Sequence, residues 1–318
     1  MSISWHDIIL DSPTPETAWA DIFNSLQTLT QTTTSPVALH DQTVIADRLL
    51  SEAAWQLWHA YPDAAIKTSG ALKNWCQENT SSGKAVLILD ALSLRELPAL
   101  IAGATSHGIE PASIRITGAE CPSTTDHFAR AIGLPSRSAL ENDGKPGTFA
   151  LFENCCTDVL RIPFEDCTVS PAPNIVIWHS WLDDLIHLQK KLPDQVSKAA
   201  ETVLQSDGFW RFINKLRQGR KLVITADHGY AVSKRFSSKV SEPHAIDILR
   251  KTFGASRNKA AGQEWQSQFM PPIVMTHNNQ HVIMGQWKWK VQGGFPDICH
   301  GGMSLLEIAV PFVEVPAL

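Results

Sequence analysis

Hydrophobic residues follow a helical spacing over the first 80 residues of the chain. Apolar side chains recur three or four positions apart in segments 17–29 and 47–59, and prolines separate these segments from their neighbours. The pattern predicts a small helical N-terminal region, residues 1–80, that forms a cap or a separate layer.

From residue 84 the pattern changes to an alternation of strands and helices. Segment 85–89 is a continuous apolar run, which is typical of a strand buried on both faces. Further strands are predicted at 113–116, 174–178, 222–226 and 310–315, helices at 93–105, 126–132, 181–205, 208–218 and 304–308, and a hairpin at 272–276 and 281–285. This alternation predicts an α/β domain over residues 81–318, with a largely parallel central sheet and helices on both faces.

Charge is distributed unevenly along a chain of 318 residues with a net charge of −5. Residues 1–67 carry eight acids and two basic residues, whereas residues 230–260 carry seven basic residues and two acids. The basic segment would suit an anionic substrate, or it is simply a solvated loop.

The sequence has six cysteines without a C-x-x-C pair, no evident signal peptide and no apolar run of about 20 residues, so we expect a cytoplasmic protein without membrane contact.

Polar residues follow directly after two of the predicted strands. Asp90 ends the run Val86–Leu89, and Asp227 and His228 end the run 221–226. The carboxyl ends of the strands are where open α/β sheets bind ligands, and a carboxylate and an imidazole are both ligands for divalent cations. Asp90 could alternatively cap the helix that follows it.

Two further sets of side chains would complete a metal site. Asp183 and His187 are four residues apart, so they share one helix face, and His300 precedes two glycines that allow close backbone approach. Asp184 competes with Asp183 but lacks the spacing to His187. The alternative interpretation of Asp183 and His187 is a surface pair of little energetic importance.

Three consecutive hydroxyl residues follow Pro122 at the start of a predicted helix. Ser123, Thr124 or Thr125 could supply a nucleophilic hydroxyl activated by a metal ion, or could simply cap the helix.

The order of these residues resembles the alkaline phosphatase superfamily. Within it, segments 86–92, 122–125, 224–229 and 300–311 look like a PglZ domain, and the resemblance covers roughly residues 84–316. It implies an alkaline-phosphatase-like fold with Thr125 as the nucleophile, although Ser123 and Thr124 stay as alternatives. It also implies two metal sites, one formed by Asp183, His187 and His300 and the other by Asp90, Asp227 and His228.

The resemblance implies a metal-dependent phosphoryl-transfer hydrolase with two divalent ions. Zinc is favoured by the mixed His and Asp ligands, and manganese fits the same set. The leading hypothesis is a phosphodiesterase or nuclease acting on a nucleotide or nucleic acid, in bacterial phage defence. The alternatives are a phosphomonoesterase, sulfatase or phosphomutase acting on a small metabolite, and a scaffold in a defence complex of the BREX type, with residues 1–80 binding a protein partner.

Overall fold

The N-terminal region consists of helices. A computed structural model describes residues 3–33, 35–188, 193–266 and 269–318. The first five helices are α1 (Trp5–Leu10), α2 (Pro15–Thr32), α3 (Pro36–Glu52), α4 (Trp55–Ala64) and α5 (Thr68–Gln77). Proline occupies the first position of both α2 and α3, where its missing N–H costs nothing, and Thr14 and Ser35 cap these helices with their hydroxyl groups.

The predicted helix over 17–29 is confirmed, but the predicted helix over 47–59 is wrong as a single element. Helix α3 ends at Glu52 and α4 begins at Trp55, because Ala54 leaves the helical conformation at φ −130° and ψ 38°. The break reorients α4 so that Trp58 and Tyr61 pack against Trp19 of α2, at ring-centroid distances of 5.2 and 4.9 Å. Packing of three aromatic rings therefore outweighs the local helical preference.

A six-stranded sheet lies at the centre of the molecule. Its strands are β1 (Gly83–Leu89), β2 (Ser113–Gly118), β3 (Cys156–Leu160), β4 (Asn174–His179), β5 (Arg220–Thr225) and β13 (Ala309–Val315). Their spatial order is β2-β13-β5-β1-β4-β3. Strand β1 is parallel to both β4 and β5, β3 is parallel to β4, and β13 is antiparallel to both of its neighbours. The predicted largely parallel α/β sheet is confirmed.

Helices connect and cover these strands. They are α6 (Leu97–Ser106), α7 (Thr125–Ala131), α8 (Trp181–Leu188), α9 (Pro193–Leu204), α10 (Asp207–Arg217), α11 (Pro243–Phe253) and α12 (Leu305–Ile308), with 3-10 turns at Arg137–Asp143, Phe164–Asp166 and Ser233–Arg235. The long helix predicted over 181–205 corresponds to α8 and α9, and its residues 189–192 lie outside the described part of the chain. Helix α6 begins four residues later than predicted, because residues 91–96 form a turn in which Glu96 accepts a hydrogen bond from the Ser93 amide.

The sheet separates two hydrophobic clusters. Leu87 and Leu89 of β1 belong to one cluster, and Val86 and Ile88 belong to the other. Strand β1 is therefore buried on both faces, as its unbroken apolar run predicted. None of the described helices is both long and apolar enough to span a membrane.

The N-terminal helices share the first of these clusters with the sheet. Trp19 and Trp58 lie in the same cluster as Leu87 and Val310. Hydrogen bonds also cross the predicted boundary at residue 80; among them, Tyr61 donates to the Ala119 carbonyl at 2.6 Å, and Gln27 donates to the Ile114 carbonyl at 2.6 Å. The helical region is therefore packed directly on β2 and the loop that follows it.

Residues 231–299 form an insert between Gly229 and His300. The insert contains α11 and the short strands β6 (Ala231–Val232), β7 (Ser238–Lys239), β8 (Asn258–Ala260), β9 (Val274–His277), β10 (Gln280–Ile283), β11 (Trp287–Lys288) and β12 (Ile298–Cys299). Strands β9 and β10 form the predicted antiparallel hairpin, and Asn278 and Asn279 at its turn both have positive φ, which Asn tolerates well. The insert has its own small core around Leu249, Phe253 and Trp289.

Candidate metal centre

Asp90, Asp227 and His228 form a fully buried group at the carboxyl edge of the sheet. Strands β1 and β5 are neighbours, with Ile88 paired to Thr225, so the residues that follow each strand meet. One ligand atom from each of the three residues lies within 4.8 Å of the other two. His228 Nε2 is 3.4 Å from Asp227 Oδ2 and 4.0 Å from Asp90 Oδ1. We refer to these residues as the buried trio.

The hydrogen bonds of the buried trio leave suitable lone pairs facing one another. His228 Nδ1 lies 2.9 Å from the Gly229 carbonyl oxygen, which assigns the ring proton to Nδ1 and the lone pair to Nε2. Asp227 Oδ1 accepts from the amides of Ala91 and His228, both at 3.0 Å, so Oδ2 is directed to the centre. Two carboxylates and an imidazole lone pair are a donor set that fits a divalent cation.

Asp183, His187 and His300 form a second group, here called the open trio. Asp183 and His187 lie on α8, and His300 follows β12; their ligand atoms also lie within 4.8 Å of one another. Asp183 Oδ1 is 3.2 Å from His187 Nε2, and His300 Nδ1 is buried and has no hydrogen-bond partner among the described residues. Buried polar atoms are rarely left without a partner, so this orphaned nitrogen also fits a bound cation.

The two trios are adjacent. The ring of His300 stacks on that of His228 with centroids 4.3 Å apart, and the ring of His187 lies 5.6 Å from that of His300. The side chain of His187 is 59% exposed, so the open trio reaches the surface. Asp184, the competing acid on α8, accepts a hydrogen bond from the Ser180 hydroxyl and belongs to neither trio.

One of the three candidate hydroxyls lies against the buried trio. Thr125 Oγ1 is 2.8 Å from Asp227 Oδ2, 3.3 Å from His228 Nε2 and 3.4 Å from Asp90 Oδ1. The hydroxyl therefore contacts all three members, and its proton is directed to Asp227.

The other two hydroxyls have structural partners. Ser123 donates to the Gly302 carbonyl at 2.8 Å and accepts from the Gly301 amide at 3.1 Å, which fixes the loop after His300. Thr124 caps α7 and lies 2.7 Å from His127 Nδ1. These contacts separate the three adjacent hydroxyls, which the sequence left as alternatives.

Two residues at the site were not predicted from the sequence. Arg137, in the 3-10 turn after α7, donates to Asp90 Oδ2 through Nη1, and the Trp178 indole donates to the same oxygen at 3.0 Å. Register places Trp178 of β4 opposite Ile88 of β1, two residues before Asp90. The guanidinium of Arg137 is therefore next to the buried trio, and the Arg137 side chain is 24% exposed.

Burial dominates the electrostatics of the site. It raises the pKa of Asp90 well above its ordinary value, and the carboxylates of Asp227 and Asp183 raise it further, while Arg137 opposes them. Burial together with the neighbouring His228 lowers the pKa of His300 to about 3. A neutral imidazole at position 300 keeps a lone pair for coordination.

Most of the basic side chains in segment 230–260 are paired locally. Lys234 forms an ion pair with Asp297, and Arg250 and Lys251 both pair with Asp247. Arg257 is fully buried and forms two hydrogen bonds with Glu307, so it belongs to the core. The segment therefore presents much less free positive charge than its composition indicates. His179 of β4 stacks on Phe164 and lies 3.0 Å from the Ile162 carbonyl oxygen.

The fold and this site define an α/β protein with two adjacent groups of potential metal ligands at the carboxyl edge of its sheet. Residues 166–315 match the model of the family described as the BREX system PglZ alkaline phosphatase-like domain. The resemblance predicted from the sequence is therefore confirmed over these residues, which include Asp183, His187, Asp227, His228 and His300 but not Asp90 or Thr125.

Solved structures of similar shape have low sequence identity to this chain. Murine ectonucleotide pyrophosphatase/phosphodiesterase 5, solved in an inactive form with AMP, is 12% identical with a TM-score of 0.44, over 74% of this chain and 88% of its own. Phosphonoacetate hydrolase from Sinorhizobium meliloti 1021, solved with phosphonoacetate, is 12% identical with a TM-score of 0.39, over 74% and 90%. Human ectonucleotide pyrophosphatase/phosphodiesterase 5 is 12% identical with a TM-score of 0.41, over 73% and 87%. Among curated proteins, none matches this chain in sequence.

Proposed function

We propose that the protein is a metal-dependent hydrolase of phosphate esters that uses Thr125 as its nucleophile. The observation that carries this proposal is the position of Thr125 Oγ1, which lies within 3.4 Å of atoms from Asp90, Asp227 and His228. A threonine hydroxyl is a weak nucleophile unless its proton is removed, and here Asp227 Oδ2 is 2.8 Å away to accept it. Attack of this oxygen on phosphorus would break the bond to the ester oxygen, release the alcohol, which takes up a proton, and form a phosphothreonine. Water would then cleave the phosphothreonine, releasing the phosphoryl group and restoring the Thr125 hydroxyl.

Each trio would hold one divalent cation. Asp90, Asp227 and His228 are the ligands in the buried trio, and Asp183, His187 and His300 are the ligands in the open trio. When bound, such ions act as Lewis acids on phosphoryl oxygens and lower the pKa of the hydroxyl nucleophile. Zinc is favoured over manganese because each trio includes imidazole nitrogen.

Arg137 would bind a non-bridging oxygen of the substrate. Its guanidinium touches Asp90 next to the attacking hydroxyl and is partly exposed, so it can contact a phosphoryl group without moving far. Charge that develops on the phosphoryl oxygens during attack would be stabilised by this fixed cation.

A phosphodiesterase or nuclease is the form of this activity that we favour. The exposed side chain of His187 places the open trio at the surface, where a substrate can continue on both sides of the scissile phosphate. The local pairing of the basic segment argues against a broad nucleic-acid track, so we expect a nucleotide or the end of a strand as substrate.

A phosphomonoesterase is the second candidate. Arg137 favours it, because a terminal phosphate carries more charge than a diester and benefits more from an adjacent guanidinium. Comparison of p-nitrophenyl phosphate with bis-p-nitrophenyl phosphate at equal concentrations separates the two activities by their kcat/KM values.

Metal content and hydrolysis measured on the same samples test the proposal. We expect about two ions per chain by elemental analysis of the protein, and about one in Asp183→Asn. Asp184→Asn is the matched control, since the neighbouring acid lies outside both trios, and it should keep both ions and the activity.

Absence of metal from a folded protein that has been incubated with zinc and with manganese would rule the proposal out. In that case the remaining hypothesis is a scaffold in a phage-defence complex, with the helices of residues 1–80 contacting a partner protein. The cytoplasmic location and the role in defence stay predictions.

A further inference from the structure

A separate cleft of about 490 Å³ lies between the starts of α3 and α6 on one side and α9 on the other. No member of the buried or open trio lines it. The α3–α6 wall is largely apolar and includes Pro36, Val37, Pro98 and Ala99, whereas the α9 wall is polar and includes Ser197 and Lys198. We call this feature the α3–α9 cleft.

Arg95 lines the cleft, and its guanidinium is buried. Its side chain is only 6% exposed, and its guanidinium lies over the ring of Tyr230 at 4.8 Å. Nη1 donates to the Tyr230 carbonyl and to Ser93 Oγ, but within the described chain Arg95 forms no salt bridge. Arg257, which is equally buried, pairs with both carboxylate oxygens of Glu307. A buried guanidinium without such a partner favours an anion beside it.

Two more basic side chains extend this end of the cleft. His40 and Arg235 line a narrow continuation that Arg95 also lines. Nε2 of His40 is 3.2 Å from the Arg235 carbonyl oxygen, so it carries the ring proton, and Nδ1 is buried without a partner among the described residues. Burial and the charge of Arg95 lower the pKa of His40 to about 4, which is consistent with positive charge close to the ring.

Acidic side chains also line the cleft. Asp194 and Glu201 flank Lys198 on α9, so this wall has no net positive charge, and Asp194 also lines the narrow continuation. Glu96 lies beside Arg95, but its carboxylate accepts a hydrogen bond from the Tyr230 hydroxyl, and burial raises its pKa to about 7. Arg235 is held only weakly, with Nη1 3.9 Å from the exposed carboxylate of Asp41. The two guanidinium groups, of Arg95 and Arg235, both lie at the end of the cleft that His40 also lines.

We propose that the α3–α9 cleft binds a phosphorylated small molecule, with its phosphate group beside Arg95 and Arg235. Guanidinium groups match the geometry of phosphate oxygens, and a phosphate or ligand hydroxyl can donate to the unpartnered Nδ1 of His40. The cleft is much larger than a phosphate ion, and its apolar wall gives a flat organic group a surface to pack on.

The position of the cleft connects it to the loops that carry the buried trio. Arg95 and Glu96 follow Asp90 by a single turn, and both contact Tyr230, which follows Asp227 and His228: Arg95 at the carbonyl and Glu96 at the hydroxyl, 2.6 Å away. A ligand in the cleft would therefore bind against residues that connect both loops.

Calorimetric titration of the full-length protein with phenylphosphonate, which contains no hydrolysable ester, tests the proposal. Anions can also bind at the two trios, so wild type is compared with Asp227→Asn, which removes one carboxylate of the buried trio and lines no part of the cleft. Both proteins are freed of metal ions beforehand, so that the open trio offers no cation to the anion. We expect Asp227→Asn to keep one binding site, and Arg95→Gln and Arg235→Gln each to weaken that site about tenfold or more, as loss of a charge-assisted hydrogen bond does. Arg250→Gln, at an exposed arginine paired with Asp247, is the matched control and should bind as wild type does.

Ala99→Trp is a second test that does not depend on the folding of Arg95→Gln. The indole would occupy the cleft from its apolar wall, and no charge is removed. We expect it to abolish phenylphosphonate binding while hydrolysis of phosphate esters continues. Tighter binding of phenylphosphonate than of inorganic phosphate supports an organic ligand. Equal affinity for both, unchanged binding in Ala99→Trp, or loss of all binding in Asp227→Asn would each overturn the proposal.

Discussion

Three adjacent hydroxyls at the start of α7 have different environments, and this makes the nucleophile testable by single substitutions. Thr125→Ala should lower kcat by roughly 10⁴- to 10⁶-fold, as removal of a member of a catalytic unit does in other hydrolases. Thr125→Ser keeps the oxygen and should retain measurable turnover. The measurement is kcat for bis-p-nitrophenyl phosphate hydrolysis with saturating zinc or manganese.

Thr124→Ser is the control for this series, because serine preserves the cap of α7 and the contact with His127. Normal turnover in Thr125→Ala, or equal losses in Thr125→Ala and Thr124→Ser, would contradict the assignment of Thr125.

Arg137 should matter for the transition state more than for the fold. Arg137→Gln is expected to reduce kcat/KM by about 10²- to 10³-fold, the usual effect of removing one group that stabilises developing charge. Arg137→Lys should recover only part of the loss, since an ammonium lacks the planar fork. Steady-state kinetics on both p-nitrophenyl esters provide the readout.

The matched control for Arg137 is Arg130→Gln, at an exposed arginine of α7 that pairs loosely with Asp126 at 3.8 Å. Elemental analysis of each variant separates a direct effect on catalysis from a loss of bound metal. Unchanged kcat/KM in a fully metal-loaded Arg137→Gln would show that this side chain has no part in the reaction.

The site residues differ in how visible they are in the sequence. Asp90, Asp227 and His228 interrupt apolar runs at their ends, so the pattern marks them directly. Arg137 and Trp178 contact Asp90 across 47 and 88 residues of chain, and neither breaks a local pattern. Which of three hydroxyls faces the buried trio depends on side-chain direction at a helix start, which the sequence does not contain.

At the scale of elements, the strands were predicted more accurately than the ends of the helices. Strand β1 could be predicted because a strand that is buried on both faces gives a continuous apolar run in the sequence. The same reason applies to its neighbours in the sheet. The break between α3 and α4 depends instead on aromatic packing against α2, that is, on contacts between residues that are distant in sequence. The same is true of the turn before α6, which is closed by the Glu96 side chain.

Helix α3 joins the N-terminal region to the core through a buried acid. Asp47 accepts hydrogen bonds from the Leu305 amide at 2.9 Å and from Gln286 at 2.7 Å. Burial raises its pKa to about 7; Glu307 adds to this effect, while the two hydrogen bonds and Arg257 oppose it. The folded protein therefore binds the Asp47 proton more tightly than the unfolded chain does.

This linkage predicts a loss of stability as the pH rises. The contribution of Asp47 is fully present below its unfolded pKa of about 4 and is lost as the pH increases through about 7, by an amount on the order of a few kcal/mol. Asp47→Asn should remove this part of the pH dependence, because its amide oxygen still accepts from Leu305 and its NH₂ group can donate to Gln286 Oε1, which has no partner among the described residues. Urea unfolding at pH 5 and pH 8 measures the difference.

Asp41→Asn, at an exposed acid on the same helix, is the control and should leave the pH dependence unchanged. The prediction is wrong if Asp47→Asn and wild type lose the same free energy of unfolding between pH 5 and pH 8.

At the scale of the whole molecule, one continuous hydrophobic core extends across the predicted domain boundary at residue 80. Trp19, Trp58 and Leu87 lie in one cluster, and Tyr61, Gln27 and Asp47 all hydrogen-bond across the boundary. We therefore expect a fragment of residues 81–318 to lose cooperative thermal unfolding, as exposure of so much apolar surface would require. Circular dichroism of the fragment and of the full chain makes the comparison.

Addition of residues 1–80 as a separate polypeptide should restore cooperative unfolding to the fragment, which tests that the loss arises from the missing contacts. A fragment that unfolds cooperatively within a few degrees of the full chain would instead establish two independent domains.

The position of β13 has a consequence for how the protein is made. Strand β13 lies between β2 and β5, although it is the last of the six strands along the chain. During synthesis on the ribosome, β2 and β5 emerge long before the strand that joins them, so both leave a hydrogen-bonding edge uncovered while the insert is translated. His300 emerges in the same late interval, so the ligand set of the open trio and the closed sheet are completed almost together. A nascent chain interrupted within the insert would have neither, and quality-control factors that bind exposed strand edges would recognise it as unfinished.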